Sequence, residues 1–184
     1  MPISPTNLWH ALPAGPNAPD IINVIVEIPK GHRNKYEYNK DLGYIRLDRV
    51  LYSSLHYPGD YGLIPQTFYD DNDPLDVLVM INEPTFPGCV IQARPIGMFR
   101  MLDRELPDDK ILSVPLNDPI FAEYYDISDI PQHFLSEVAH FFEVYKDLEG
   151  VRTKPIGWEP AEVAKERIVY SMKLYQERYV KERR

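Results

Sequence analysis

The chain has 184 residues, 44% hydrophobic and 26% charged, which suits one globular domain over 1–184 able to bury ~70% of its extended-chain surface. Its formal net charge of −8 argues against a nucleic-acid-binding module, whose affinity rests on Lys and Arg neutralising phosphates, and equally against an anionic membrane surface. An acidic protein can still take up an anion where metal ions reverse the local field.

Residues 1–20 are rich in Pro, Ala and Asn. They predict a short helix or arm and then a Pro/Gly loop, without the basic-then-apolar pattern of a signal peptide. Asn23 to Pro29 reads as a strand stopped by proline. Lys35 to Asn39 alternates with period two, so Lys35 and Glu37 share a face. Lys40-Asp41-Leu42-Gly43 is a hairpin turn leading to a strand over Tyr44 to Arg49. Further strands are predicted at Val77 to Ile81, Val90 to Met101 and Ile111 to Val114. The lone cysteine, Cys89, excludes an intrachain disulfide and fits a reducing, cytoplasmic setting.

The last third changes period. Phe134, Val138, Phe141, Phe142 and Tyr145 fall at helical spacing, which predicts a helix over Pro131 to Leu148 with proline near its start. Ala161, Ala164, Ile168, Met172, Tyr175 and Tyr179 form a second helical stripe, in a segment opened by Trp158-Glu159-Pro160. Strands followed by helices give an α+β fold: a small antiparallel barrel with two main helices packed outside. No apolar run reaches the ~20 residues that span a bilayer.

Acidic residues crowd two places. Asp71, Asp73 and Asp76 precede one strand, and Asp103 with Asp108-Asp109-Lys110 lies between two others. Carboxylates this dense raise one another's pKa unless cations neutralise them, and hard divalent ions take oxygen ligands together with substrate phosphates. In a straight strand Asp76 would face away from Asp71 and Asp73. Asn72 and Pro74 predict a bend instead, which can bring all three to one pocket. An EF-hand does not fit, because its fifth and sixth positions would hold Leu75 and Asp76. Lys35, Arg49, Lys110 and Lys146 supply cations for phosphoryl oxygens. P-loop, dinucleotide-turn and Gly-x-Ser-x-Gly motifs do not occur in the sequence.

Together these motifs resemble the family I soluble inorganic pyrophosphatases over nearly the whole chain. The resemblance rests on Glu27-Ile28-Pro29, Lys35-Tyr36-Glu37, Asp48-Arg49, Tyr57-Pro58-x-x-Tyr61-Gly62, Asp71 to Asp76, Arg94-Pro95-x-Gly97, Asp103, Asp108-x-Lys110, and His140 to Glu149. It implies a five-stranded OB-like barrel, several Mg²⁺ ions per subunit, and hydrolysis of pyrophosphate to two orthophosphates in a cytoplasmic homohexamer. By position it implies metal ligation by Asp71, Asp76, Asp103, Asp108 and Glu37, and a general base at Asp73. It also implies phosphate contacts from Lys35, Arg49, Tyr61, Lys110, Tyr145 and Lys146, with Glu27 in support. Asp60 stands where many relatives have asparagine, and the expectation is an added negative charge near Tyr61. Two rival readings keep the barrel: a binding module with a structural metal, and a hydrolase of nucleoside triphosphate or polyphosphate.

Overall fold

The computed structural model describes residues 7–180, so the first six residues of the predicted N-terminal arm lie outside the described part. The strands are β1 (Ile22–Ile28), β2 (Asn34–Tyr38), β3 (Ile45–Val50), β4 (Asp60–Leu63), β5 (Asp76–Val79), β6 (Val90–Asp103), β7 (Leu106–Pro107), β8 (Lys110–Pro115) and β9 (Thr153–Pro160). The helices are α1 (Leu8–Ala11), α2 (Gln132–Val144) and α3 (Ala161–Tyr175).

Strands β1, β4, β5, β8 and β6 pair in that order, and β6 pairs back to β1. Five strands therefore close a ring, which removes free edges from the barrel. Short β7 and longer β9 extend the sheet from β6, while β2 and β3 form a separate antiparallel hairpin.

One pairing departs from the expected antiparallel pattern: β5 and β8 run parallel, with Asp76 opposite Lys110. This departure positions the site. Parallel strands start at the same end, so the acidic segments preceding β5 and β8 are brought together. Strand β6 runs antiparallel to β8, with Phe99 opposite Lys110, so the C-terminal Asp103 of β6 reaches that end too.

Alternate side chains of the sheet serve two cores, as period two requires. Leu78, Leu112 and Val114 pack with Phe141 and Phe142 of α2. Val77, Val79 and Ile111 pack with Ala164 and Ile168 of α3. Phe142 is fully buried, stacked on Phe99 at 6.0 Å, and burial of such a ring is worth ~1.5–3 kcal/mol.

Helix α2 ends at Val144, short of the predicted Leu148. After Tyr145 the chain tightens into a 3₁₀ turn over Asp147–Glu149 and leaves through Gly150 at φ 73°. That left-handed residue closes the 3₁₀ turn at little cost because glycine has no Cβ. Trp158, Glu159 and Pro160 belong to β9 rather than to the start of the second helix.

Candidate active site

The site begins with a bend. Asn72 adopts φ 68°, a conformation that Asn tolerates better than most residues. Asp73 N donates to Asp71 Oδ1 at 3.0 Å, and Tyr69 N donates to Asp73 O at 2.8 Å. The turn so closed brings Asp71, Asp73 and Asp76 to the same cavity, as the bend predicted.

That cavity has a volume of about 420 Å³. Every sequence-predicted site residue except Arg49 lines it: Glu27, Lys35, Glu37, Tyr61, Asp71, Asp73, Asp76, Asp103, Asp108, Lys110, Tyr145 and Lys146. Strands β1, β2, β4, β5, β6 and β8 and the end of α2 each contribute. Arg49 on β3 stands apart, its guanidinium donating to Glu149 at 2.7 and 3.0 Å and to Asp48 at 2.6 Å.

Lys110 is almost wholly buried and bridges Asp76, at 2.5 Å, and Asp108. Tyr61 Oη donates to Asp76 Oδ2 at 2.6 Å. Lys146 Nζ donates to Asp103 Oδ2 at 2.5 Å. Lys35 Nζ donates to Glu37 Oε1 at 2.7 Å. Among the described residues, no three acidic, histidine or cysteine side chains converge as a metal-ligand group. Lysine ammoniums stand between the carboxylates instead.

The electrostatics nevertheless fit hard cations. Eight carboxylates but five cationic side chains line the cavity, so acid remains in excess. Asp71 is raised from 3.8 to about 7 by burial and then by the charges of Asp76 and Asp108. Burial raises Asp76 in spite of Lys110, with Asp108 adding to the rise. Asp108 is buried as well, yet Lys110 keeps it below the usual carboxylate range. One ammonium cannot satisfy both acids and Asp71 as well. Asp103 Oδ1 is buried without a hydrogen-bond partner, an acceptor positioned for a cation. An all-oxygen, carboxylate-rich set of this kind suits a divalent hard ion.

Glu27 is raised from 4.5 to about 7 by burial, against the Tyr38 N–H that donates to it at 2.6 Å. Asp60 corrects an expectation. It precedes Tyr61 on β4, and the strand's alternation turns the two side chains apart. Asp60 is fully buried, absent from the cavity lining, and accepts from Lys30 N and from both N–H and hydroxyl of Thr85. It fastens loops rather than adding charge beside the site.

Sequence reasoning missed Lys40, which it assigned only to a hairpin turn. Lys40 lines the cavity, with Asp41 and Arg46, and its ammonium pairs with Asp73. The two residues lie 33 positions apart, and local pattern carries no signal for such a contact.

The profile of the family described as "Inorganic pyrophosphatase" matches residues 24–176. An inorganic pyrophosphatase of Haloferax volcanii is 52% identical over 174 residues, 94% of this chain and 98% of that protein. Soluble inorganic pyrophosphatase 1 of Arabidopsis thaliana is 50% identical over 169 residues, 92% of this chain and 80% of its own. Among solved structures, the inorganic pyrophosphatase from Thermus thermophilus has a TM-score of 0.89 at 41% identity, covering 92% of this chain and 99% of that one. The barrel, the acidic cavity and these likenesses agree: the chain belongs to the inorganic pyrophosphatase family, the family I soluble enzymes that hydrolyse pyrophosphate to two orthophosphates.

Proposed function

We propose that this hydrolysis depends on several Mg²⁺ ions held by Asp71, Asp76, Asp103, Asp108 and Glu37, with Asp73 as general base. The observation that carries the reading is the shared cavity, lined by more carboxylates than cations, in which burial and then the charges of Asp76 and Asp108 raise Asp71 to about 7. Bound there, Mg²⁺ supplies positive charge to phosphoryl oxygens and acidifies the attacking water.

The side chains do the rest. Asp73 is half exposed at the cavity rim, where its carboxylate can accept a proton from water, and Lys40 orients it. Lys35 and Tyr61 donate to the phosphate under attack. Lys110, Tyr145 and Lys146 meet the charge that grows on the leaving phosphate, and they are already in place before reaction. Arg49 joins them by exchanging Glu149 and Asp48 for a phosphate, to which its fork is equally matched. Glu27 supports β2 through Tyr38 N. Charge and positioning suffice, since phosphoryl transfer asks little covalent chemistry of a protein.

The chain acts in this reading as one domain over 1–184, in a cytoplasmic homohexamer. The lone Cys89 agrees with a reducing compartment, and exposed Tyr44, Leu47, Tyr52 and Phe86 offer apolar area for subunit contact. The net charge of −8 disfavours nucleic acid, and among the described residues no helix is long and apolar enough to cross a membrane.

Phosphate release from pyrophosphate, measured with Mg²⁺ and again with excess chelator, tests the metal role. Release should vanish with chelator and return when Mg²⁺ is restored. Equal rates in both conditions would defeat it.

A further inference from the structure

Behind the two acidic segments, on the side facing α3, lies a buried polar cluster that the chemistry above does not use. Tyr69 Oη donates to Asp109 Oδ2 at 2.8 Å. Arg167 of α3 donates Nη1 to the same Tyr69 oxygen at 2.8 Å, and its Nη2 lies 3.5 Å from Asp109 Oδ2. The guanidinium also lies over the Tyr69 ring at 5.4 Å. Tyr69 is 2% exposed and Asp109 3%.

Both partners of Arg167 are joined directly to the cavity. Tyr69 closes the turn that carries Asp71 and Asp73, since its N–H donates to Asp73 O and its carbonyl accepts from Asn72 N. Asp109 stands between Asp108 and Lys110, just before β8, and unlike them does not line the cavity. The Tyr69–Asp109 bond therefore spans the two segments, and a change in its length changes their spacing. Tyr170 of α3 adds a second tie, donating to Asp70 Oδ1 at 3.0 Å.

We infer that Arg167, acting through Tyr69 and Asp109, is a positioning residue that fixes the distance between the Asp71–Asp73 turn and the Asp108–Lys110 segment. The inference rests on the reading of Asp71 and Asp108 as metal ligands. The planar fork of Arg suits this task, because it contacts a phenol and a carboxylate at once in a fixed geometry. A purely structural fastening of α3 would alter stability alone. A positioning role alters the metal affinity and turnover of the folded enzyme.

The test uses Tyr69→Phe, Arg167→Met and Arg167→Lys in the full chain, at a temperature well below unfolding. Tyr69→Phe keeps the ring and supplies the answer should Arg167→Met fail to fold. Calorimetric Mg²⁺ affinity should fall ~10-fold, the lower end of what loss of a ligand-orienting partner costs. The kcat for pyrophosphate should fall ~10-fold with KM steady, since small misplacements penalise the reacting geometry most. Arg167→Lys should recover part of the loss seen in Arg167→Met.

Asp76→Ala is measured alongside. Loss of Mg²⁺ affinity in Asp76→Ala, with the folded Tyr69→Phe protein unchanged in affinity and kcat, overturns this inference alone. Unchanged affinity in both overturns the metal assignment and the inference with it.

Discussion

Lys110 Nζ lies 2.5 Å from Asp76 Oδ2, and the parallel register of β5 and β8 sets these two residues side by side. The ammonium also pairs with Asp108. It lines the acidic cavity and keeps the buried Asp108 and the partly buried Asp76 compatible with the fold.

Lys110→Met should therefore destabilise the chelated protein by about 3–5 kcal/mol, the usual cost of removing one partner from a buried ion pair. Mg²⁺ should offset most of that loss by taking over the neutralising charge. Urea unfolding in chelator and in Mg²⁺ measures both. A variant equally stable with and without the ion would show that the lysine and the metal do not share these carboxylates.

Asp73→Asn should keep Mg²⁺ affinity and lower kcat ~10²–10⁴-fold, the range typical of a general base. Single-turnover rates at neutral pH give the answer, and parent-like turnover would remove Asp73 from that role.

Asp76→Ala should weaken Mg²⁺ binding itself if Asp76 serves as a metal ligand as proposed above. Tyr61 and Lys110 would each lose an acceptor as well. Calorimetry that returned the parent affinity would refute the ligand assignment.

Glu27 and Asp71 contribute one component of the pH dependence of the metal-free protein. Each is raised to about 7 in the fold, from 4.5 and 3.8 respectively. Between those limits the folded state holds on these two groups protons that the unfolded chain has released, so their contribution to stability falls as pH rises. Below the lower values both states are protonated, and above about 7 both are ionised, so neither group adds slope there. Glu27→Gln should flatten part of the decline, a change of at most about 3 kcal/mol across the window. Urea midpoints in chelator from pH 4 to 8 check the sign, and midpoints that climbed over that range because of Glu27 would contradict it.

Much of the barrel was legible because strands and helices write their period locally. Val77 to Ile81 and Ile111 to Val114 are apolar runs, and Phe134 to Tyr145 repeats at helical spacing. Strand β4 carries little local signal, since Asp60-Tyr61-Gly62-Leu63 is short and contains a glycine. Strand β9 was hidden by Pro155, Gly157 and Pro160, residues that usually argue against a ladder. It survives because it pairs only with β6, at the rim of the sheet.

Residue types and their order already state the chemistry on offer: a carboxylate-rich chain with lysines and tyrosines at fixed offsets, suited to cations and phosphate. How those groups meet depends on the folded arrangement. The parallel β5–β8 pair put Asp76 beside Lys110, strand alternation turned Asp60 away from Tyr61, and a hairpin carried Lys40 to Asp73. Glu149 drew Arg49 off the cavity wall, and α3 placed Arg167 behind the acidic segments. Side-chain type is a property of one residue, whereas pairing depends on which strands become neighbours, and that is fixed by burial summed over the whole chain.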